Sequence, residues 1–374
     1  MTFAFTEEHE ELRRTVRKFL ENHSSEQKVR GLMQTEKGYD SEVWAQMAEQ
    51  MALQGLIVPE QYGGAGLGYV ELTVVLEEMG RVLYCGPYLS SAVLSANALL
   101  CAGNEAARAE LLPKIAAGEK LVTVALAEEG GSWEAAKVAA TATPDDGSWA
   151  ITGNKLYVPD GHVADVLLVA AKAPDGVGLF RVDGDADGVL RKLLPTLDLT
   201  RKLARIELLN APAARIDAGG SVAAALDKAV ALSVIALTAE QAGGAQRCLE
   251  LSTEYAKTRL QFGRPIGSFQ AIKHKCADML VEVEFAKSAA YNAGFTAAEP
   301  GHADGEIIAA AHLAKAYCSD AYFHAAAETI QIHGGMGFTW EHPAHLYFKR
   351  AKSSAVLFGD AALHREKLAT QVGI

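Results

Sequence analysis

The chain has 374 residues, 49% of them hydrophobic and 22% charged, enough to bury a substantial core in two or three compact units. A formal net charge of −11 argues against nucleic acid as a partner, because neutralising phosphates needs a basic face. The five cysteines (Cys85, Cys101, Cys248, Cys276, Cys318) are odd in number, widely spaced and without a Cys-x-x-Cys pair, which favours small buried residues in a reducing compartment over disulfides or zinc.

The N-terminus, MTFAFTEEHEEL, has neither the basic start nor the apolar stretch of a signal peptide. Thr6 followed by Glu7, Glu8 and Glu10, with Leu12, Val16, Phe19 and Leu20 at helical spacing, predicts a capped amphipathic helix. Helical patterns continue over Ser41–Leu53, Val70–Val82, Ser90–Ala102 and Glu105–Ala117, giving an all-helical domain over 1–119. The loop Gly63–Gly68 follows no convincing strand and no ribose-binding acid is placed for it, so it reads as a flexible connector and not a dinucleotide fingerprint.

From Lys120 the pattern changes to short runs, Leu121–Ala127, Val138–Thr143, Ser148–Thr152, Asp165–Ala171, Val177–Val182 and Arg205–Leu208, separated by tight-turn residues. These predict a small antiparallel β-barrel or sandwich over 120–216. Helix returns near Ser221 and fills 217–374 as a C-terminal four-helix bundle, with Glu306–Ile332, Tyr347–Phe358 and Ala361–Val372 as later helices. Its run Ala229–Ala239 is apolar nearly all round, as in a bundle centre, and shorter than the roughly 20 residues of a bilayer span. The fold class is α+β, with no membrane partner and a cytoplasmic location expected.

The chain is organised around Ala239–Ile272. A long helix ends in Arg259-Leu-Gln261-Phe262-Gly263-Arg264-Pro265, and a second helix starts at Ser268-Phe269-Gln270, with Ser268 as its predicted N-cap. A guanidinium at the corner with an amide one turn into the next helix can grip a phosphorylated ligand, or Arg259 can simply cap helix carbonyls. Further on, Gln331-Ile-His-Gly334-Gly335-Met-Gly337 closes a long helix with three glycines, where a C-cap needs one. His333, His342 and His345 lack the carboxylate or cysteine that would complete a metal set, and Pro343 breaks their spacing. No Gly-x-Ser-x-Gly elbow is present.

The corner, the Gln331–Phe338 run and the upstream Gly55-Leu-Ile-Val-Pro-Glu-Gln-Tyr-Gly-Gly64 together resemble the acyl-CoA dehydrogenase family, in order and over essentially the whole chain. The resemblance implies a three-part fold, FAD as cofactor, an acyl-CoA substrate and electron-transfer flavoprotein as acceptor. It implies that Arg259, Gln261, Phe262, Gln270, Gln331, Gly334 and Gly335 contact the adenosine-pyrophosphate half of an FAD seated in a neighbouring subunit.

Elsewhere the chain departs from that family. A threonine near the flavin ring is replaced in Ala127-Glu128-Glu129-Gly130-Gly131-Ser132-Trp133. A hydroxyl residue near flavin N5 becomes Pro159 in Tyr157-Val-Pro-Asp160, and proline offers neither hydroxyl nor N–H. The catalytic glutamate of the C-terminal turn corresponds to Gly359 in Leu357-Phe358-Gly359-Asp360, and its alternative position on the long helix to Ser233. Asp360, one position late, is the weak remaining candidate for the base; Glu240 lies too far along its helix. The resemblance therefore implies a subunit of a steroid side-chain α2β2 acyl-CoA dehydrogenase, completed by a homologous chain that carries the glutamate. Two other readings stand beside it: a self-sufficient homotetramer using Asp360, and a non-redox acyl-thioester or partner-binding protein of the same fold.

Overall fold

The computed structural model describes residues 5–299 and 301–374. The chain opens with α1 (Glu7–His23), α2 (Glu26–Gln34), α3 (Ser41–Met51) and α4 (Tyr69–Arg81). A π-helical stretch, Tyr88–Ser95, runs into α5 (Ala96–Ala102), and α6 (Glu105–Ala116) follows. Seven strands come next: β1 (Val122–Ala125), β2 (Thr141–Asp145), β3 (Ser148–Pro159), β4 (Val166–Ala173), β5 (Gly176–Asp183), β6 (Val189–Leu193) and β7 (Leu203–Arg215). The rest is α7 (Val222–Thr258), the two-residue strands β8 (Leu260–Gln261) and β9 (Arg264–Pro265), then α8 (Gln270–Ala298), α9 (Asp304–His333), α10 (Ala344–Val356) and α11 (Ala361–Val372). By contacts the chain forms two units, one comprising the residues up to Arg30, Tyr69–Tyr84 and Val234–Ile374, the other Gly31–Gly68 and Cys85–Ser233. The three consecutive segments suggested by the sequence cut the same helix–strand–helix order differently.

The first unit is helical. Thr6 caps α1 as its sequence predicts, although the reciprocal partner of the capping box is the His9 ring, 3.0 Å from the Thr6 N–H. At 37 residues, α7 is about 55 Å long at roughly 1.5 Å per residue. By length and composition α7 as a whole could cross a membrane, which the run Ala229–Ala239 alone does not suggest; 67% of its most apolar window is buried, as in a core helix. Small residues let its neighbours come close. A Cβ on Gly80 of α4 would lie 2.0 Å from the Glu240 carbonyl oxygen, and one on Gly243 would lie 1.9 Å from that of Glu77. The helices α4 and α7 therefore touch backbone to backbone, and Ala242, Ala286, Ala290, Cys318 and Ala321 form a similarly small-residue core with α8 and α9.

In the second unit β4, β2, β3, β7 and β5 close on one another into a barrel, with β1 added beside β4 and β6 beside β7. Most pairings are antiparallel, as expected, but β1 and β2 both pair with β4 in parallel. The interior is filled by Ile151, Val158, Leu167, Val169, Phe180, Val182, Ile206 and Leu208. The predicted strand Val138–Thr143 begins only at Thr141, because Ala135–Lys137 forms a short 3₁₀ turn. The loop Gly63–Gly68 is no flexible connector. Ala65, Gly66 and Leu67 donate to the carbonyls of Gly55, Val58 and Leu56 at 2.9 Å each, and a Cβ on Gly64 would overlap the Val58 carbonyl.

Candidate functional site

Helix α7 ends as its sequence signals, and β8 and β9 make a minimal hairpin whose turn residues, Phe262 and Gly263, both have positive φ (52° and 75°). Arg259 is locked by its backbone: its N–H donates to Tyr255 O and its carbonyl accepts from Ile266 N–H, both at 2.8 Å. Its side chain is exposed and caps no carbonyl. Gln261, Gln270 and Gln331 are likewise exposed, and no side-chain hydrogen bond of these four residues occurs among the described residues. Phe262 is 91% exposed and meets Phe269 edge-on at 6.0 Å, while the Arg264 guanidinium lies 4.1 Å from the Phe269 ring centroid. Ser268 does not cap α8; the helix starts at Gln270 after a 3₁₀ turn (Ile266–Ser268), and Phe269 holds the N-cap position without a side-chain bond.

The three glycines after α9 have separate reasons. Gly334 has φ +58° and ends the helix. Gly337 is buried, and a Cβ there would sit 2.8 Å from Ile330 O. Gly335 has an ordinary helical φ of −55° and nothing within 4 Å of an added Cβ. Neither conformation nor packing among the described residues calls for glycine at 335. The two segments meet through ring contacts, with Tyr255 of α7 stacked on His333 at 4.3 Å.

The stretch Ala127–Trp133 is built differently. Glu128 accepts from the N–H groups of Ala139 and Ala140 and from the buried Lys155 ammonium, at 2.6, 2.9 and 2.7 Å. Burial alone would raise the Glu128 carboxyl; Lys155 and the two N–H groups outweigh this and hold it below the usual carboxylate range. Glu128, Glu129, Ser132, Lys137 and Asn154 line a pocket of about 630 Å³, where Lys137 is already paired with Glu134 at 2.8 Å. The local balance is acidic. Pro159 is buried, and its carbonyl accepts the Thr123 hydroxyl at 2.6 Å; Asp160, at φ +51°, accepts from Ser90 at 2.6 Å.

None of the candidate bases has the geometry of a free carboxylate. Gly359 has φ +107°, and a Cβ there would lie 2.6 Å from Leu363 Cδ2. Asp360 is the N-cap of α11, its Oδ1 accepting from Leu363 N–H at 2.9 Å. Ser233 is fully buried and donates to Ala229 O at 2.8 Å. Glu240 is buried against Arg350, 2.9 Å away, on the face of α7 that meets α4. The turn itself is clamped by groups that sequence reasoning did not reach. His364 Nε2 donates to Phe358 O at 3.1 Å, and the buried Lys315 ammonium donates to the carbonyls of Ser354 and Ala355 at 2.7 and 3.0 Å. Burial, with Lys315 close by, pushes the His364 imidazole down to about 3, so it stays neutral. The His and Lys sit within long Ala-rich helical patterns and carry no local signal of this role.

A helical N-terminal segment, a small barrel and a C-terminal bundle carrying the Arg259 corner form the acyl-CoA dehydrogenase fold, that of FAD-dependent oxidoreductases acting on acyl-CoA. Two family signatures match, "Acyl-CoA dehydrogenase, N-terminal domain" over residues 6–119 and "Acyl-CoA dehydrogenase, C-terminal domain" over 223–373, and the chain belongs to that family. It is 36% identical to the acyl-CoA dehydrogenase IpdE2 of Mycolicibacterium smegmatis, over 98% of this chain and 99% of that one. Among solved structures it is similar to the Tcur3481-Tcur3483 steroid ACAD (33% identity, TM-score 0.88, 98% of each chain). It is also similar to the ChsE4-ChsE5 complex from Mycobacterium tuberculosis (29% identity, TM-score 0.89, 100% of this chain and 99% of that one).

Proposed function

We propose that this chain is the subunit of a hetero-oligomeric acyl-CoA dehydrogenase that lends the adenosine-pyrophosphate half of the FAD site to a homologous partner carrying the catalytic glutamate. The observation that carries this is an asymmetry between two ends of the family's machinery. Among the described residues Arg259, Gln261, Gln270 and Gln331 are exposed with no side-chain hydrogen bond, and Gly335 is open and Phe262 projecting. Charged donors and bare backbone suit an anionic pyrophosphate, and an exposed ring suits a base. The opposite end offers an acidic pocket, a buried proline and a glycine at the base position. Arg259 and the glutamines would hold the far end of FAD, which would supply a hydride acceptor for the acyl β-carbon. Similarity to one steroid acyl-CoA dehydrogenase and to two paired-chain assemblies supports a hetero-oligomer acting on a steroid CoA thioester; electron-transfer flavoprotein as acceptor rests on the family resemblance alone.

The test is the flavin-to-chain ratio, measured for the chain alone and co-purified with a homologous partner. The expected outcome is little FAD on the chain alone and one FAD for every pair of chains in the complex. Arg259→Ala in this chain should weaken FAD retention in that complex roughly 10- to 100-fold, as for loss of a charge-assisted bond. A fully flavin-loaded chain that turns over acyl-CoA alone would overturn the proposal.

A further inference from the structure

Among the described residues no hydrogen bond joins the corner 259–265 to the turn 331–335. Their register has to come from what lies beneath. Tyr255 sits one helical turn before Arg259 on the same face of α7. Its ring stacks on His333, the last residue of α9, at 4.3 Å and 25°, and His333 in turn meets His342 at 4.2 Å and 45°. Three rings thus link the end of α7, the end of α9 and the start of α10. We propose that the Tyr255–His333–His342 stack is a positioning device that sets the Arg259 corner and the Gly334–Gly335 turn in mutual register, and that it works with both histidines neutral. The inference rests on the nucleotide-gripping role proposed above.

The hydrogen bonds fix the Nδ1–H tautomer of His333 and require a bare Nδ1 on His342. His333 Nδ1–H donates to Thr329 O at 2.7 Å, and His342 Nδ1 accepts from the Ala344 N–H at 3.2 Å, so a proton on His342 Nδ1 removes the partner of the first N–H of α10. The groups facing the stack are Arg30 and Glu26 of α2, Glu341, His345 and Lys349; His345 Nε2 donates to Trp340 O at 3.1 Å. Burial lowers His333, His342 and His345 below the ordinary histidine value, with neighbouring positive charge adding to this at His342 and His345. Folded values below the unfolded one mean that this stabilisation is complete above about pH 6.5 and is lost as pH falls towards the lowered values.

The experiment compares wild type, His333→Phe and His333→Ala by amide hydrogen exchange of residues 331–340 in the full chain, at about pH 7.5 and about pH 5 and corrected for intrinsic rates. Wild type should lose roughly ten-fold of its protection on acidification. His333→Phe keeps a ring that cannot charge and should lose clearly less protection on acidification than wild type, the remainder being due to His342, whereas His333→Ala should be unprotected at both. FAD retained by the partner complex should follow the same order. Protection in His333→Ala equal to wild type, or an identical acid response in His333→Phe, would overturn the inference. Undiminished FAD retention in Arg259→Ala would instead refute the nucleotide reading, and the exchange data on the chain alone would still decide the ring stack.

Discussion

Glu250 on α7 anchors the half of that helix leading to Arg259, and its contribution can be worked out. Its carboxylate accepts both Arg81 Nη groups at 2.8 Å, Gln246 at 3.0 Å and Arg247 at 3.2 Å. Burial alone would raise the carboxyl; the Arg81 bonds, helped by Gln246 and Arg247, outweigh it and hold Glu250 at about 2 against an ordinary 4.5. At roughly 1.4 kcal/mol per pH unit this displacement corresponds to about 3 kcal/mol, trimmed towards about 2 kcal/mol by solvent at a side chain that is 28% exposed. Because the folded value is the depressed one, the stabilisation is present above about pH 4.5 and disappears as pH falls towards 2. Glu250→Gln keeps the shape and removes the charge. Urea unfolding at stepped pH should show the variant less stable by about 2–3 kcal/mol near neutrality, with the gap closing below about pH 4.5. A gap that stays constant with pH, or one below about 0.5 kcal/mol at neutrality, would refute the electrostatic account.

Three further substitutions have signed outcomes. Gly243→Ala should destabilise the protein by about 2 kcal/mol or more in thermal melts, although helix propensity alone favours alanine by about 1 kcal/mol, because its Cβ meets the Glu77 carbonyl; an unchanged or higher Tm contradicts the backbone contact. Asp360→Ala should cost about 1 kcal/mol as a lost N-cap and leave turnover of the partner complex unchanged. A large fall in turnover at unaltered Tm would return Asp360 to the list of bases. Gly359→Glu should cost about 1–3 kcal/mol through its left-handed φ and give the chain alone no exchange of the acyl-CoA α-proton, followed by NMR in deuterated water. Appearance of that exchange would show that the turn accommodates a base.

Elements with a strong local signal were legible in the sequence: the Thr6 cap and acidic first turn of α1, the run of β5, and the arginine–glycine–proline break after α7; of β3 only Ser148–Thr152 was read, although the strand continues to Pro159. Each depends on residues a few positions apart, so neighbours in sequence suffice to specify them. The segments that were missed obey no local rule. Helix α2 buries little besides Val29 and Met33, and β6, Val-Leu-Arg-Lys-Leu, is mostly exposed and exists through its pairing with β7. The candidate site divides the same way. The identities of Arg259, Gln331 and the glycines, and the absence of a carboxylate at 359, could be read directly. Only the folded chain decided that Asp360 caps a helix, that Glu240 is held by Arg350, and that Gly337 serves packing while Gly335 does not. It alone stacked Tyr255 on His333, residues 78 positions apart. A carboxylate's role depends on what lies within about 3 Å of it, and for a residue in a helical bundle those neighbours come from distant parts of the chain.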